Sequence, residues 1–157
     1  MSIINKIFID SSIVIEYFKG NKTDFLNELL ASQYTELYIS DIVCSEYLFH
    51  FLAKQAGKSP LSVKESKKIS QTLSIDSRFL DFIKIFNISP LGLKYLDQCI
   101  HLMSKHNLLP NDALILTNCL INNYDLIATY DKDLIQSSIN EGITPLSELS
   151  DLKKLNL

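Results

Sequence analysis

A chain of 157 residues, 46% hydrophobic and 21% charged, has the makeup of an ordinary globular protein and the length of about one domain. Its formal net charge of -3 argues against gripping nucleic acid by a broad basic surface, because counterion release from many Lys and Arg contacts drives such binding; a local basic rim remains compatible. No apolar run approaches the ~20 residues needed to span a bilayer, and the sequence is expected to belong to a cytoplasmic protein that uses no membrane.

In chain order, Ile7-Phe8-Ile9 reads as a buried strand that delivers Asp10, Ser11 and Ser12 to a sheet edge. Residues 13–18 follow as a short helix ending near Gly20, and Thr23-Asp24 opens a second with Phe25, Leu26, Leu29 and Leu30 as its stripe. Leu37-Tyr38-Ile39 is a strand, Ser40-Asp41 an N-cap, and the helix from Ile42 runs to about Lys54, where residues 55–60 break it. Residues 61–73 are helical in pattern but polar, and Lys64, Lys67 and Lys68 make this the place where positive charge concentrates. The apolar stretch 79–88 divides, with Ile85-Phe86-Asn87-Ile88 as a strand before the loop 89–92. Residues 93–105 form an amphipathic helix, and Leu109-Pro110-Asn111-Asp112 opens an apolar one through Leu120. Leu126-Ile127-Ala128-Thr129 is the next strand, Asp131 starts a short helix through Ile135, Gly142-Ile143-Thr144 is a last edge strand, and the tail from Ser147 is polar. This alternation predicts a single α/β domain over residues 1–157 with a mainly parallel sheet, residues 55–82 being a helical arm or insertion.

Several acids stand at helix starts, where a carboxylate is a favoured cap. Asp10, Asp112 and Asp131 each have that structural explanation, and lying together on one edge is what any parallel sheet imposes on its helix starts. Glu46 differs, being more than a turn inside its helix and spaced to share a face with Ile42, Val43 and Phe49. A carboxylate on an apolar stripe is expensive to bury unless paired, protonated or bound to a metal, and no Lys or Arg lies within four residues of it. Asp112 shares its face with Leu108, Ile115 and Leu116; Lys132 is the obvious distant partner if a cation compensates it. Acids that converge without cations are relieved by a divalent ion, and an all-oxygen donor set favours Mg²⁺ or Mn²⁺, whose chemistry suits phosphodiester hydrolysis by metal-activated water.

Other chemistries are poorly supported. Glu46 and His50, four apart, lack the further ligand of the known helical zinc motifs, and His101 and His106 point differently. There is no G-x-S-x-G elbow or glycine-rich phosphate loop. Cys44, Cys99 and Cys119 are an odd, widely spaced set without a C-x-x-C pair, expected to be reduced core residues.

Four segments in order, Phe8-Ile9-Asp10-Ser11-Ser12, Ser45-Glu46-Tyr47, Asn111-Asp112-Ala113-Leu114-Ile115-Leu116 and Thr129-Tyr130-Asp131-Lys132-Asp133, make the chain resemble the PIN-domain ribonucleases and, within them, the VapC-type toxins of toxin–antitoxin pairs. The resemblance spans about residues 7–146. It implies a three-layer α/β/α fold around a five-stranded parallel sheet, and an acidic cluster of Asp10, Glu46, Asp112 and Asp131. In that cluster Asp10 and Asp112 would be direct Mg²⁺ ligands with Glu46 and Asp131 as further candidate ligands, Asp133 an auxiliary acid, and Ser12 and Thr129 hydrogen-bonding supports. It also implies RNA cleavage, a homodimer and a small antitoxin partner. The segment between Glu46 and Asp112 is longer than in compact toxins, chiefly through residues 55–82. Basic residues are sparse for an RNA groove, Arg78 being the one arginine, so Lys58, Lys64, Lys67, Lys68 and Lys132 are the candidate RNA contacts. Two other readings are a phosphoacceptor domain resembling response-regulator receivers, with Asp10, Thr129 and Lys132 in its roles, and a catalytically silent PIN domain used as a binding module. The first lacks the acid pair expected after the first strand, since Ser11-Ser12 stands there; intact acids at four positions weigh against the second.

Overall fold

Ile7, Phe8 and Ile9 are completely excluded from solvent. In a computed structural model, which describes residues 4–76, 78–92 and 95–157 but not the side chains of residues 79 and 80, they form the inner end of β1 (Asn5–Ile9). β1 pairs in parallel with β2 (Thr35–Ile39) on one side, Ile7 opposite Leu37, and with β4 (Leu126–Ala128) on the other, Ile7 opposite Leu126 and Ile9 opposite Ala128. A strand hydrogen-bonded on both sides and covered on both faces has no use for polar alternation, which explains its unbroken apolar run. β3 (Asn87–Ile88) and β5 (Thr144–Leu146) complete the sheet as parallel edges, in the order β3-β2-β1-β4-β5.

The chain therefore moves outward from β1 through β2 to β3, then returns to the other side of β1 for β4 and β5. Strand order reverses between β1 and β4, and in three-layer α/β/α folds of this kind ligands bind in the crevice beyond the carboxyl ends of the strands flanking the reversal. Three of the helices that start at the chemistry each follow a strand. α1 (Ser11–Lys19) follows β1 directly and stops at Gly20, whose left-handed φ of +81° lets its N–H bond back to the Glu16 and Tyr17 carbonyls. α3 (Asp41–Ala56) follows β2, with the Ser40 hydroxyl accepting from the Val43 N–H. α9 (Lys132–Asn140) follows β4. α2 (Thr23–Ala31) packs Phe25, Leu26 and Leu29 inward as its stripe requires.

Between α3 and β3 the polar stretch 61–73 is two short helices, α4 (Pro60–Glu65) and α5 (Ile69–Leu73). The Ser66 hydroxyl turns back onto the Ser62 and Val63 carbonyls, and Lys67 takes φ +56°, which ends the first helix. α6 (Arg78–Ile83) then leads to β3, which is shorter than the four-residue strand expected, because Ile85 lies in the turn before it. α7 (Leu96–His106) and α8 (Pro110–Ile121) follow; the expected start of α7 at residues 93–94 lies outside the described residues.

Three differences from the sequence reading lie near the C-terminus. α9 continues five residues past Ile135, because its buried face after Leu134 is made of Ser137 and Ser138, which a hydrophobic-periodicity reading passes over. β5 begins at Thr144 rather than Gly142, since Gly142 makes the preceding turn with φ +82°; Pro145, which has no N–H to give, sits where an edge strand tolerates it. The polar tail contains α10 (Leu149–Lys154), held by a reciprocal Glu148–Asp151 capping box and the single buried Leu152. Cys99 and Cys119 are buried, Cys44 half-buried, and all three are free thiols. Among the described residues no helix is long and apolar enough to cross a membrane.

Candidate active site

Asp10 stands at the end of β1, in the crevice where strand order reverses, and is only 3% exposed. Its carboxylate caps α1 by accepting from the Ser12 N–H at 3.3 Å. The helix-cap role is thus real, and it does not exhaust the residue. Oδ2 also accepts from the Ser12 hydroxyl at 2.5 Å and from the Thr129 hydroxyl at 2.8 Å, Oδ1 meets the Ser11 hydroxyl at 3.5 Å, and the Ser11 backbone N–H also bears on the carboxyl. The short bonds fall on Oδ2, and the contact to Oδ1 is longer. Burial pushes the carboxyl above its ordinary 3.8, while the donors from Ser12 and Thr129 pull it back down.

The two hydroxyls also tie the strands together. Ser12 Oγ accepts from the Tyr130 N–H at 2.9 Å, and Thr129 Oγ1, fully buried at the end of β4, accepts from the Asp131 N–H at 3.0 Å. Asp131 caps α9 through the Leu134 N–H at 2.8 Å. The start of α1 and the start of α9 are therefore clamped together through Asp10.

Glu46 is half-buried rather than enclosed. The inward stripe of α3 is Val43, Tyr47 and Phe51, and Phe49, expected beside Glu46 on an apolar face, is 53% exposed. Spacing placed Glu46 on an apolar face, but in the structure it lies beside the buried stripe, at its border. Its Oε1 accepts from the Asn111 side-chain amide at 2.7 Å. Asn111 was not singled out for this role: it stands beside Asp112 in sequence, but its partner is 65 residues away.

Asp112 occupies the first turn of α8 but caps nothing: Leu109 is the N-cap residue, without a side-chain cap, and no hydrogen bond reaches the Asp112 carboxyl among the described residues. Leu108, Ile115 and Leu116 beside it are buried. Burial first, and then the charges of Asp131, Asp10, Glu46 and Asp133, together raise its pKa to about 6. All the acids expected to cluster thus act on this one carboxyl. Lys132 is exposed and joins no ion pair among the described residues, so the cationic compensation it was to supply is not made. His50 is exposed beside Phe49.

The donor set is carboxylate and hydroxyl oxygen throughout, which fits a hard divalent ion in chemistry. In spacing it is open: among the described residues no three His, Cys, Asp or Glu side chains lie close enough to enclose an ion. Such a site fits an ion that keeps most of its water and takes one or two protein ligands, as Mg²⁺ does, rather than an all-protein cage. The candidate RNA contacts lie elsewhere. Lys58, Lys64, Lys67 and Lys68 are exposed around α4 and the turn into α5, where Lys58 donates to the Ser66 hydroxyl at 2.9 Å, and Arg78 is engaged by Asp76 at 2.8 Å.

A sheet ordered β3-β2-β1-β4-β5 with acids gathered at its reversal point defines the same class of protein as the ordered motifs. The PIN domain family profile matches residues 7–139, and the chain belongs to that family. This membership displaces the receiver-like reading. Ribonuclease VapC2 of Methanocaldococcus jannaschii is 32% identical over 130 residues, covering 82% of this chain and 87% of that protein. Among solved structures the fold is similar to VapBC2 from Rickettsia felis bound to a DNA fragment from their promoter, at a TM-score of 0.58 and 18% identity over 90% of this chain and 97% of that one. It is equally similar, at a TM-score of 0.58 and 15% identity, to Mycobacterium tuberculosis VapC20, a Sarcin-Ricin loop cleaving toxin, over 83% of this chain and 94% of that one.

Proposed function

We propose that the chain is a divalent-metal-dependent endoribonuclease acting as the toxin of a toxin–antitoxin pair. The carrying observation is Asp112, a carboxyl raised to about 6 by burial and by four neighbouring acids with no cation among them. Such a group is an electrostatic liability unless a cation visits. The 32% identity to a protein named as a ribonuclease supports RNA as the substrate.

In this reading Asp10 and Asp112 would hold Mg²⁺ or Mn²⁺, with Glu46 and Asp131 as further candidate ligands. When bound, the ion supplies a hydroxide from water near neutral pH and offsets charge on the phosphate and the leaving oxygen. The protein's own part is preorganisation. Ser12 and Thr129 hold Oδ2 of Asp10 and so fix the orientation of the carboxylate. The Asn111 amide holds Glu46 facing the same ground. Asp133, exposed in the first turn of α9, adds negative potential as an auxiliary acid. Lys58, Lys64, Lys67 and Lys68 contact RNA phosphates away from the acids and Lys132 does so beside them, giving a local rather than a general basic surface. The chain acts as one domain over residues 1–157, with residues 55–82 as a helical arm. It works in the cytoplasm as a homodimer held in check by a small antitoxin.

Asp10→Asn tests the reading. It preserves the cap on α1 but removes a charge, and RNA cleavage should be lost while the circular dichroism spectrum is unchanged. Undiminished cleavage by this variant, or by the parent in excess chelator, would sink the proposal.

A further inference from the structure

Beside the acids, at the carboxyl edge beyond β4 and β5, lies a cavity of about 490 Å³ bounded by Lys22, Asp24, Phe25, Tyr130, Glu148 and Ser150 among others. We propose that it is the subsite for the base adjoining the scissile phosphate, and that it selects a base carrying an exocyclic amine. The inference rests on the ribonuclease reading and adds a specificity element to it.

Tyr130 connects the cavity to the chemistry. It stands between Thr129 and Asp131, and its backbone N–H donates to Ser12 Oγ, which itself donates to Asp10. The ring is therefore anchored two hydrogen bonds from the acid at the centre of the site, through an atom that side-chain substitution leaves in place. The ring is half-buried and meets Phe25 with centroids 6.0 Å apart at 53°. Lys22 Nζ lies 4.1 Å from its centroid. Lys22 adopts φ +47°, a left-handed conformation uncommon for a side chain of this kind, and it is exposed and joins no ion pair among the described residues.

Aromatic rings with a mobile cation alongside are what single-stranded RNA asks of a protein: a surface for an unstacked base, and a charge for the phosphate next to it. An exposed cation–π contact is weak, so Lys22 can exchange the ring for a phosphate oxygen at the mouth. The exposed carboxyls of Asp24 and Glu148 decide which part of a nucleotide goes inside. They repel a phosphate but accept hydrogen bonds, as does the Ser150 hydroxyl held at 2.5 Å from Glu148 Oε1. A base edge with an amino group, as in adenine, cytosine or guanine, suits those acceptors better than that of uracil, whose one N–H is flanked by two carbonyls that meet the carboxylates unfavourably.

The test pairs binding with cleavage. In the full-length Asp10→Asn protein with Mg²⁺ present, fluorescence anisotropy with labelled single-stranded tetranucleotides should show oligo-A, oligo-C or oligo-G binding more tightly than oligo-U. Adding Tyr130→Ala or Lys22→Ala should weaken that binding by about tenfold, the worth of one stacked base. Tyr130→Phe should restore it. In the active background, Tyr130→Ala should raise KM more than it lowers kcat and flatten the nucleotide preference at one position beside the cut. Melting curves establish that Tyr130→Ala folds, and Lys22→Ala, at an exposed position, gives the same answer without that concern. Unchanged affinity and unchanged cleavage preference in both variants overturn the subsite while leaving the nuclease intact. Loss of affinity for a basic peptide with RNA binding unaltered also overturns it and assigns the cavity to a protein partner. Failure of the parent to cleave any RNA overturns the nuclease reading itself.

Discussion

Replacing Asp112 by Asn should make the protein more stable in the presence of chelator, although the same change abolishes the proposed activity. The carboxyl rises from 3.8 to about 6 on folding. At about 1.4 kcal/mol per pH unit, a rise of that size sets an upper bound of roughly 3 kcal/mol on the penalty carried by the ionised side chain. Asp112 is half-buried, so water screens part of this, and about 1–2 kcal/mol is a fair working value. The amide also forgoes the favourable placement of a negative charge in the first turn of α8, worth about 0.5 kcal/mol. The net gain of about 1 kcal/mol corresponds to a rise in Tm of roughly 2–4 °C for a chain of this size. The effect has a pH signature. Below 3.8 the carboxyl is protonated in both states and carries no penalty; between 3.8 and about 6 the folded protein keeps a proton that the unfolded chain releases, so parent stability falls as pH rises; above 6 the full penalty applies. Melting curves of parent and variant between pH 4 and 8, in EDTA, should therefore separate with rising pH and run parallel above 6. Saturating Mg²⁺ should close or reverse the gap, since an ion at about 100 times its Kd adds ~2.7 kcal/mol to whichever protein binds it. A variant that melts below the parent at pH 7.5 in EDTA, or by a margin independent of pH, refutes the electrostatic account.

Other perturbations probe the supports. Thr129→Val keeps the shape but removes a donor to the buried Asp10 carboxylate and an acceptor for the Asp131 N–H; urea titration should show a loss of about 1–3 kcal/mol, and a neutral result would mean water replaces both bonds. Glu141 is held below its ordinary 4.5 by Lys105 at 2.7 Å and His106 at 2.5 Å, which pins α7 to the end of α9. That stabilisation is present above 4.5 and is lost as pH falls through the lowered value, so Glu141→Gln should cost about 1–2 kcal/mol at pH 7 and less at pH 3. Equal losses at both values in thermal melts would contradict it. Leu152→Ala, at the one buried residue of α10, should cost about 2–4 kcal/mol by chemical denaturation; a cost under half that range would show that the tail contributes little to the core.

Much of the fold was legible because it rests on local chemistry. The apolar run before Asp10, the Ser40 cap and the Pro110 start each carry their cause within a few residues, so β1, α3 and α8 fell close to where patterning put them. Patterning failed where small or polar residues do the burying. Ser137 and Ser138 extend α9 without an apolar signal, and α10 rests on a single leucine and a cap. The resemblance carried by four short motifs named the acids, but not their environments. Glu46 was placed on an apolar face by its spacing, whereas the sheet turns that part of α3 outward and leaves Phe49 in water.

By itself the sequence determined the elements, their alternation and the identity of the oxygen donors, since hydrophobic period and capping act between near neighbours. Only the tertiary structure decided that β4 returns beside β1, which brings Thr129 and Asp131 to an acid about 120 positions earlier. It also decided that Asp112, which caps nothing, is the carboxyl on which the other charges bear. Strand order and electrostatic potential depend on distances between residues remote in the chain, and those exist only once the sheet has closed around β1.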